Sequence, residues 1–367
     1  MTTYLYLDDA QLGESRDKVS GLSMQDVLTV KVEQNLPGWK QQMTRLRNVD
    51  YDGLILDLKL DELPVDAGKY AGYRGTTIAQ NVRDYQKEGT LKAFPMLLFT
   101  GEDNMKHALD NTGRDLFDMI IEKGSLSIYT LQKLPGQLAE LSDCYKRLNG
   151  GEDARAMIKP QGYVDERFMD ALHDLQTTDS NASCAHFLLN EFVLKPGLLI
   201  DESLLAARLG VDKDKSGKSW EAVLNLFETA RYDGTFGKGW TRWWMRSVNE
   251  IWKDRTGVTL QQLGAKERVQ CLKQVIEGSE LATATKSKYA ESDYYWAVCC
   301  GTGKPLDPLD GFEVTGQDTS YPWQDLLYVS KEAAFHKIKQ EHWKGIATSE
   351  KERLEYLKQQ YEKVGAR

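Results

Sequence analysis

The chain has 367 residues, more than one hydrophobic core usually serves, so two or three domains are expected. With 41% hydrophobic and 28% charged residues it reads as ordinary globular sequence, and no apolar run approaches the ~20 residues a membrane-spanning helix needs. Residues 1–150 carry 22 acidic and 18 basic side chains and the remainder 33 and 29. Each part is therefore net −4, and neither has the basic footprint of a nucleic-acid binder.

MTTYLYLDDA opens directly on a strand pattern, with no basic start and no long apolar stretch of an export signal. The five cysteines are scattered without metal or disulfide spacing, which fits a reducing cytoplasm. Apolar runs near 3–8, 27–33, 53–58, 94–99 and 118–122 predict five strands. Their near-continuous hydrophobicity suits a parallel sheet covered on both faces. Helical periodicity falls near 38–48, 76–88, 103–111 and 126–148. Between the first two strands, AQLGESRDKVSGLSMQD holds two glycines and no clear apolar face, so a short or irregular helix is expected there. A helix stop at Gly150-Gly151 sets a domain boundary, giving 1–150 and 151–367.

The strands end on chemistry. TYLYLDD ends on Asp8 and Asp9, YDGLILD on Asp57, FPMLLFT on Thr100 and DMIIEK on Lys123. In an open parallel α/β sheet the C-terminal strand ends share one crevice, where ligands bind. Each residue taken singly has a plainer reading: a helix cap, a strand threonine, a solvated lysine. Their order, one at each strand end, points to a single site. Carboxylates, a hydroxyl and an ammonium in one crevice can handle a phosphoryl group with Mg²⁺, which prefers one or two carboxylates, waters and phosphoryl oxygens.

That set of residues resembles the receiver domain of two-component phosphorelays over about residues 3–148. The resemblance implies a flavodoxin-like, five-stranded parallel sheet and a phosphorylated Asp57. It also implies Mg²⁺ held by Asp9, by Asp57, by the backbone carbonyl of Lys59 and, through water, by Asp8. Lys123 would pair with phosphoryl oxygens, and the Thr100 hydroxyl would hydrogen-bond the new phosphate. The implied partners are a sensor histidine kinase and other receiver proteins of the same relay. The implied catalysis is limited to self-phosphorylation and dephosphorylation. The chain departs from the family pattern in three places. DELPVDAGKYAGYRG lengthens the path from Asp57 to Thr100. Gly124 stands where receivers carry proline after the lysine. Ile120 stands where an aromatic switch residue is usual. The stretch DGLILDLKLDE…YRGTTIAQNVRD resembles a divergent receiver branch of bacterial conflict (anti-phage) operons, in particular the stand-alone receiver that buffers phosphate in defensive two-component systems.

Beyond 157 the pattern is mostly helical, with segments near 164–176, 184–193, 201–208, 219–231, 241–255, 265–282, 329–340 and 347–363. A strand-and-loop insertion is expected near 283–328. Eight of the nine tryptophans lie beyond residue 219, and the densest run, GWTRWWMRSVNEIW, reads first as helical core. GTGKPLDP lacks the spacing and the Ser/Thr of a phosphate loop, and Pro305 has no N–H to donate. DESLLAARLGVDKDKSGKSWEAVLNLF has the outline of a helix-turn-helix, but its linker is long and WEAVLNLF lacks base-reading side chains at its start. The five histidines show neither zinc spacing nor a partnered nucleophile. Residues 151–367 thus disclose no enzyme site. A phosphorylation-controlled DNA-binding or effector output there stays open as an alternative to a phosphate sink.

Overall fold

The computed structural model describes residues 1–66, 68–101 and 111–365; the helix expected near 103–111 falls almost wholly outside them. Two compact units emerge. The first comprises Met1–Pro160, Asp165–Leu194 and Asp233–Trp240, the second Gln161–Val164, Lys195–Tyr232 and Thr241–Arg367.

In the first unit the strands are β1 (Thr2–Asp8), β2 (Leu28–Gln34), β3 (Gly53–Leu56), β4 (Met96–Thr100) and β5 (Met119–Glu122). The longer described helices that flank them are α1 (Leu12–Val19), α2 (Trp39–Asn48), α3 (Gly75–Lys87) and α4 (Ile128–Asn149), with a single turn at Asn111–Arg114. The sheet order is β2-β1-β3-β4-β5, with every pairing parallel. This is the flavodoxin-like doubly wound order, whose ligand crevice lies at the carboxyl ends of the central strands. Strand alternation sends Leu5, Leu7, Leu54, Leu56, Met96 and Leu98 into one core with Met43 and Leu46 of α2 and Ile78 and Val82 of α3. Tyr4 points the other way, and its hydroxyl donates to the Leu138 carbonyl of α4 at 2.8 Å. α1 is short, as its sequence suggested, and runs into a 3₁₀ turn at Ser20–Leu22.

The extra residues after β3 form a short antiparallel pair, Pro64–Asp66 with Lys69–Tyr70. Leu60, Ala71 and Tyr73 anchor this loop in the core, while Leu63 and Tyr70 stay exposed. Helices Glu166–Thr178 and Asn181–Phe187 complete much of the unit, the latter continuing as a π-turn through Val193, with Phe168 stacked on Phe192.

The second unit is helical with small antiparallel sheets. Trp220, Phe227, Trp243, Val248 and Trp252 build its first core around helices Glu202–Leu209, Lys218–Leu226, Met245–Thr256 and Ala265–Val275. Several segments differ from the sequence reading. Trp243-Trp244 pairs with Leu199–Ile200 as a strand, so the helix expected from 241 starts at Met245. The helix expected over 329–340 is strand Tyr328–Ser330 followed by Lys331–His336, which ends where Lys337 turns left-handed (φ 52°). The helix expected to run to 282 stops at Val275, ahead of Gly278 at φ 72°. Strands Ala297–Val298 with Pro305–Leu306, and Gly311–Glu313 with Tyr328–Ser330, lie where the insertion was expected. In the helix-turn-helix outline, Trp220 and Val223 of the second helix are buried in the core. No described helix is long and apolar enough to cross a membrane.

Candidate phosphoryl-acceptor site

β1 and β3 are neighbours, so the residues that leave them at the carboxyl end come together. Asp57 directly follows β3, and its N–H still donates to Leu7 of β1 at 3.1 Å, holding it in line with the sheet. α3 begins hard against it. A Cβ on Gly75 would stand 2.2 Å from the Asp57 carbonyl oxygen, so glycine alone fits there, and the Gly75 N–H donates to Leu58 O at 2.9 Å.

Lys123 opens the 3₁₀ turn after β5, and its Nζ lies 2.6 Å from Asp57 Oδ2 and 5.3 Å above the Phe99 ring. The Asp57 side chain is 10% exposed and that of Lys123 26%. Burial raises the Asp57 carboxyl above the usual carboxylate range. The Lys123 charge and hydrogen bond oppose that rise, and the neighbouring Asp8 adds to it.

Asp8 is more enclosed still. Its Oδ2 accepts from Lys18 Nζ at 3.1 Å, Ser15 Oγ at 3.0 Å and Tyr6 OH at 3.0 Å. Burial pushes its carboxyl up, but Lys18, Lys123 and the Tyr6 hydroxyl together bring it below the ordinary value. Asp9 turns to the loop after β3, where its Oδ2 accepts the backbone N–H groups of Glu62 (2.9 Å) and Leu63 (2.7 Å). Burial nevertheless raises its carboxyl. Thr100, at the end of β4, is fully buried. Its hydroxyl has no hydrogen-bond partner among the described residues. The side chain of Lys59 pairs with Glu62 rather than with the acids.

Of the six residues singled out from sequence, the structure joins Asp57 and Lys123 directly, sets Asp8 in their electrostatic neighbourhood and Asp9 in that of Asp8. Thr100 lies on the adjacent strand without touching them through a described hydrogen bond. Sequence reasoning missed Lys18, Ser15, Tyr6 and the two amides that hold Asp9. Only the three-residue step from Ser15 to Lys18 hinted that both face the sheet.

A hard divalent cation suits this donor set in its chemistry: three mostly buried carboxylates, of which Asp8 adds to the upward shift of Asp9 and of Asp57, and described contacts of Asp9 and Asp57 that use only one oxygen, Oδ2, in each. No three acidic, His or Cys side chains among the described residues already converge as a metal cluster.

No protein-family model matches the chain. No curated protein matches it in sequence. Among solved structures it is similar to NtrX from Brucella abortus, with 14% identity, 47% of this chain and 34% of that chain covered and a TM-score of 0.30. It is also similar to the REC domain of AraT, a response regulator from Geobacillus stearothermophilus, with 17% identity, 38% and 93% covered and a TM-score of 0.27. A third match is the complex of histidine kinase ThkA with response regulator TrrA, with 19% identity, 38% and 98% covered and a TM-score of 0.27. The match thus spans about a third of the NtrX structure. At such scores these likenesses add nothing to the topology already read from the strand order.

Proposed function

We propose that residues 1–150 form a receiver in which Asp57 accepts a phosphoryl group from the phosphohistidine of a sensor kinase. The observation that carries this reading is the 2.6 Å Lys123–Asp57 pair at the carboxyl mouth of a 2-1-3-4-5 sheet, flanked by Asp8 and Asp9. A carboxylate oxygen of Asp57 attacks phosphorus in line, the P–N bond to the imidazole breaks, and the imidazole takes up a proton. Such a step asks the protein for position and charge rather than covalent help. Lys123 is placed to leave the carboxylate for the incoming phosphoryl oxygens as a flexible point charge. The buried Thr100 hydroxyl gains the acceptor it lacks once a phosphate, carrying about −1.5 to −2 charge, sits on Asp57. Mg²⁺, when bound, supplies charge neutralisation; Asp9, Asp57 and the Lys59 carbonyl would hold it, with Asp8 through water.

The finer reading is a phosphate buffer in an anti-phage relay, with residues 151–367 as a region of protein contact. It is supported by the resemblance of DGLILDLKLDE…YRGTTIAQNVRD to that branch, and by Ile120 and Gly124 at positions where phospho-switching receivers carry an aromatic residue and proline. The test is incubation with acetyl phosphate and Mg²⁺, followed by intact-mass measurement. One phosphoryl group is expected on the wild type and none on Asp57→Ala, with slower labelling of Lys123→Ala. Labelling that survives in Asp57→Ala would overturn the assignment.

A further inference from the structure

We infer that Lys18 is a tethered counter-cation of the acidic pocket, which occupies Asp8 and thereby lowers the pocket's affinity for a divalent metal. The inference rests on the receiver reading and adds to it a residue that sets metal affinity. Helical spacing along α1 brings Ser15 and Lys18 to the side of Asp8. The Lys18 side chain is 28% exposed and also pairs with Glu14, at 3.2 Å, while the Asp8 side chain it meets is 1% exposed. Asp8 Oδ2 therefore accepts from an ammonium and two hydroxyls, more than the two lone pairs one oxygen offers. Oδ1 is approached by the Ala10 N–H at 3.4 Å. Asp8 Oδ2 cannot turn to a metal or to a metal-bound water without releasing one of these donors.

Charge leads to the same result. Asp8, Asp9 and Asp57 contribute −3, and Lys18 and Lys123 return it to −1; without Lys18 the pocket stands at −2. A divalent cation is drawn by that difference, and in a half-buried site one unit of charge is weakly screened. The tether also matters. Lys18 cannot diffuse away, so any metal that enlists Asp8 Oδ2 must compete with a bond already formed.

The experiment uses the full chain with Mn²⁺ as the probe, counting free Mn²⁺ by electron paramagnetic resonance and confirming the shared site by Mg²⁺ competition. Lys18→Met keeps most of the aliphatic stem and removes the charge, so Mn²⁺ should bind about tenfold more tightly. Lys18→Arg keeps the charge and should stay close to wild type. Circular dichroism establishes that each variant is folded, and Lys18→Gln replaces Lys18→Met if the latter is not. Equal or weaker Mn²⁺ binding in the folded uncharged variant overturns the inference. If Asp57 still takes phosphate from acetyl phosphate in that case, the receiver reading survives it. Absence of both labelling and metal binding in every variant overturns both.

Discussion

Single buried charges in this chain are held by specific partners, and their removal has calculable signs. Arg83 of α3 donates to Asp118 Oδ2 at 2.9 Å, and Asp118 also accepts from Tyr145 OH at 2.8 Å and from the Met96 N–H at 2.7 Å. The Asp118 side chain is 1% exposed. Arg83→Met leaves that buried carboxylate without its cation, and a loss of about 3 kcal/mol is expected in urea unfolding of the first unit. In the second unit, Asp310 accepts from Lys331 Nζ at 3.1 Å and from the N–H groups of Glu291 and Ser292. Burial raises its carboxyl, yet the Ser292 amide, Lys331 and the Glu291 amide outweigh it and hold the group below the ordinary value. A depressed folded pKa means stability that is present above the unfolded value, about 3.9, and lost as pH falls through the folded one. Asp310→Asn should therefore lower the thermal midpoint at pH 7. The gap to wild type should narrow as the pH is taken below about 4, and a gap that does not change with pH would contradict this account.

Elements explain which parts of this fold were legible. The five strands could be read because burial on both faces leaves continuous apolar runs that end abruptly on polar residues. The acids and the lysine of the site were legible for the same reason, since strand ends locate them. Lys18 was not: it lies on a short helix with a weak apolar face, and its meeting with Asp8 is a tertiary contact that local pattern does not encode. Trp243-Trp244 was misread as helix because aromatic residues suit both periods, and only pairing with Leu199–Ile200 decides between them. The start of α3 makes a further prediction. Gly75→Ala places a methyl 2.2 Å from the Asp57 carbonyl oxygen, so either the helix or the acceptor loop must move. A cost of about 1–3 kcal/mol and slower phosphorylation by acetyl phosphate are expected. Unfolding curves alongside labelling rates check both, and a variant with unaltered stability and rate would show that α3 does not position Asp57.

At the scale of the whole molecule, charge and burial bear on what the proposed phosphorylation would do. Both parts are net negative, and the helix-turn-helix outline keeps Trp220 and Val223 of its second helix in the core. Arg208, the basic residue nearest the turn of that outline, is buried against Asp325 at 2.6 Å and the Trp296 ring, unavailable to a phosphate backbone. On the proposed reading, the chain acts by taking phosphate away. In a relay rebuilt from a sensor kinase and an effector receiver, adding this protein should slow phosphorylation of the effector in proportion to the amount added. Asp57→Ala should lose most of that effect, because competition requires the acceptor carboxylate and not merely occupancy of the kinase. Stimulation of effector phosphorylation, inhibition that persists undiminished in Asp57→Ala, or sequence-specific DNA binding at physiological salt would each rule out the phosphate-sink role and turn attention to an output in residues 151–367.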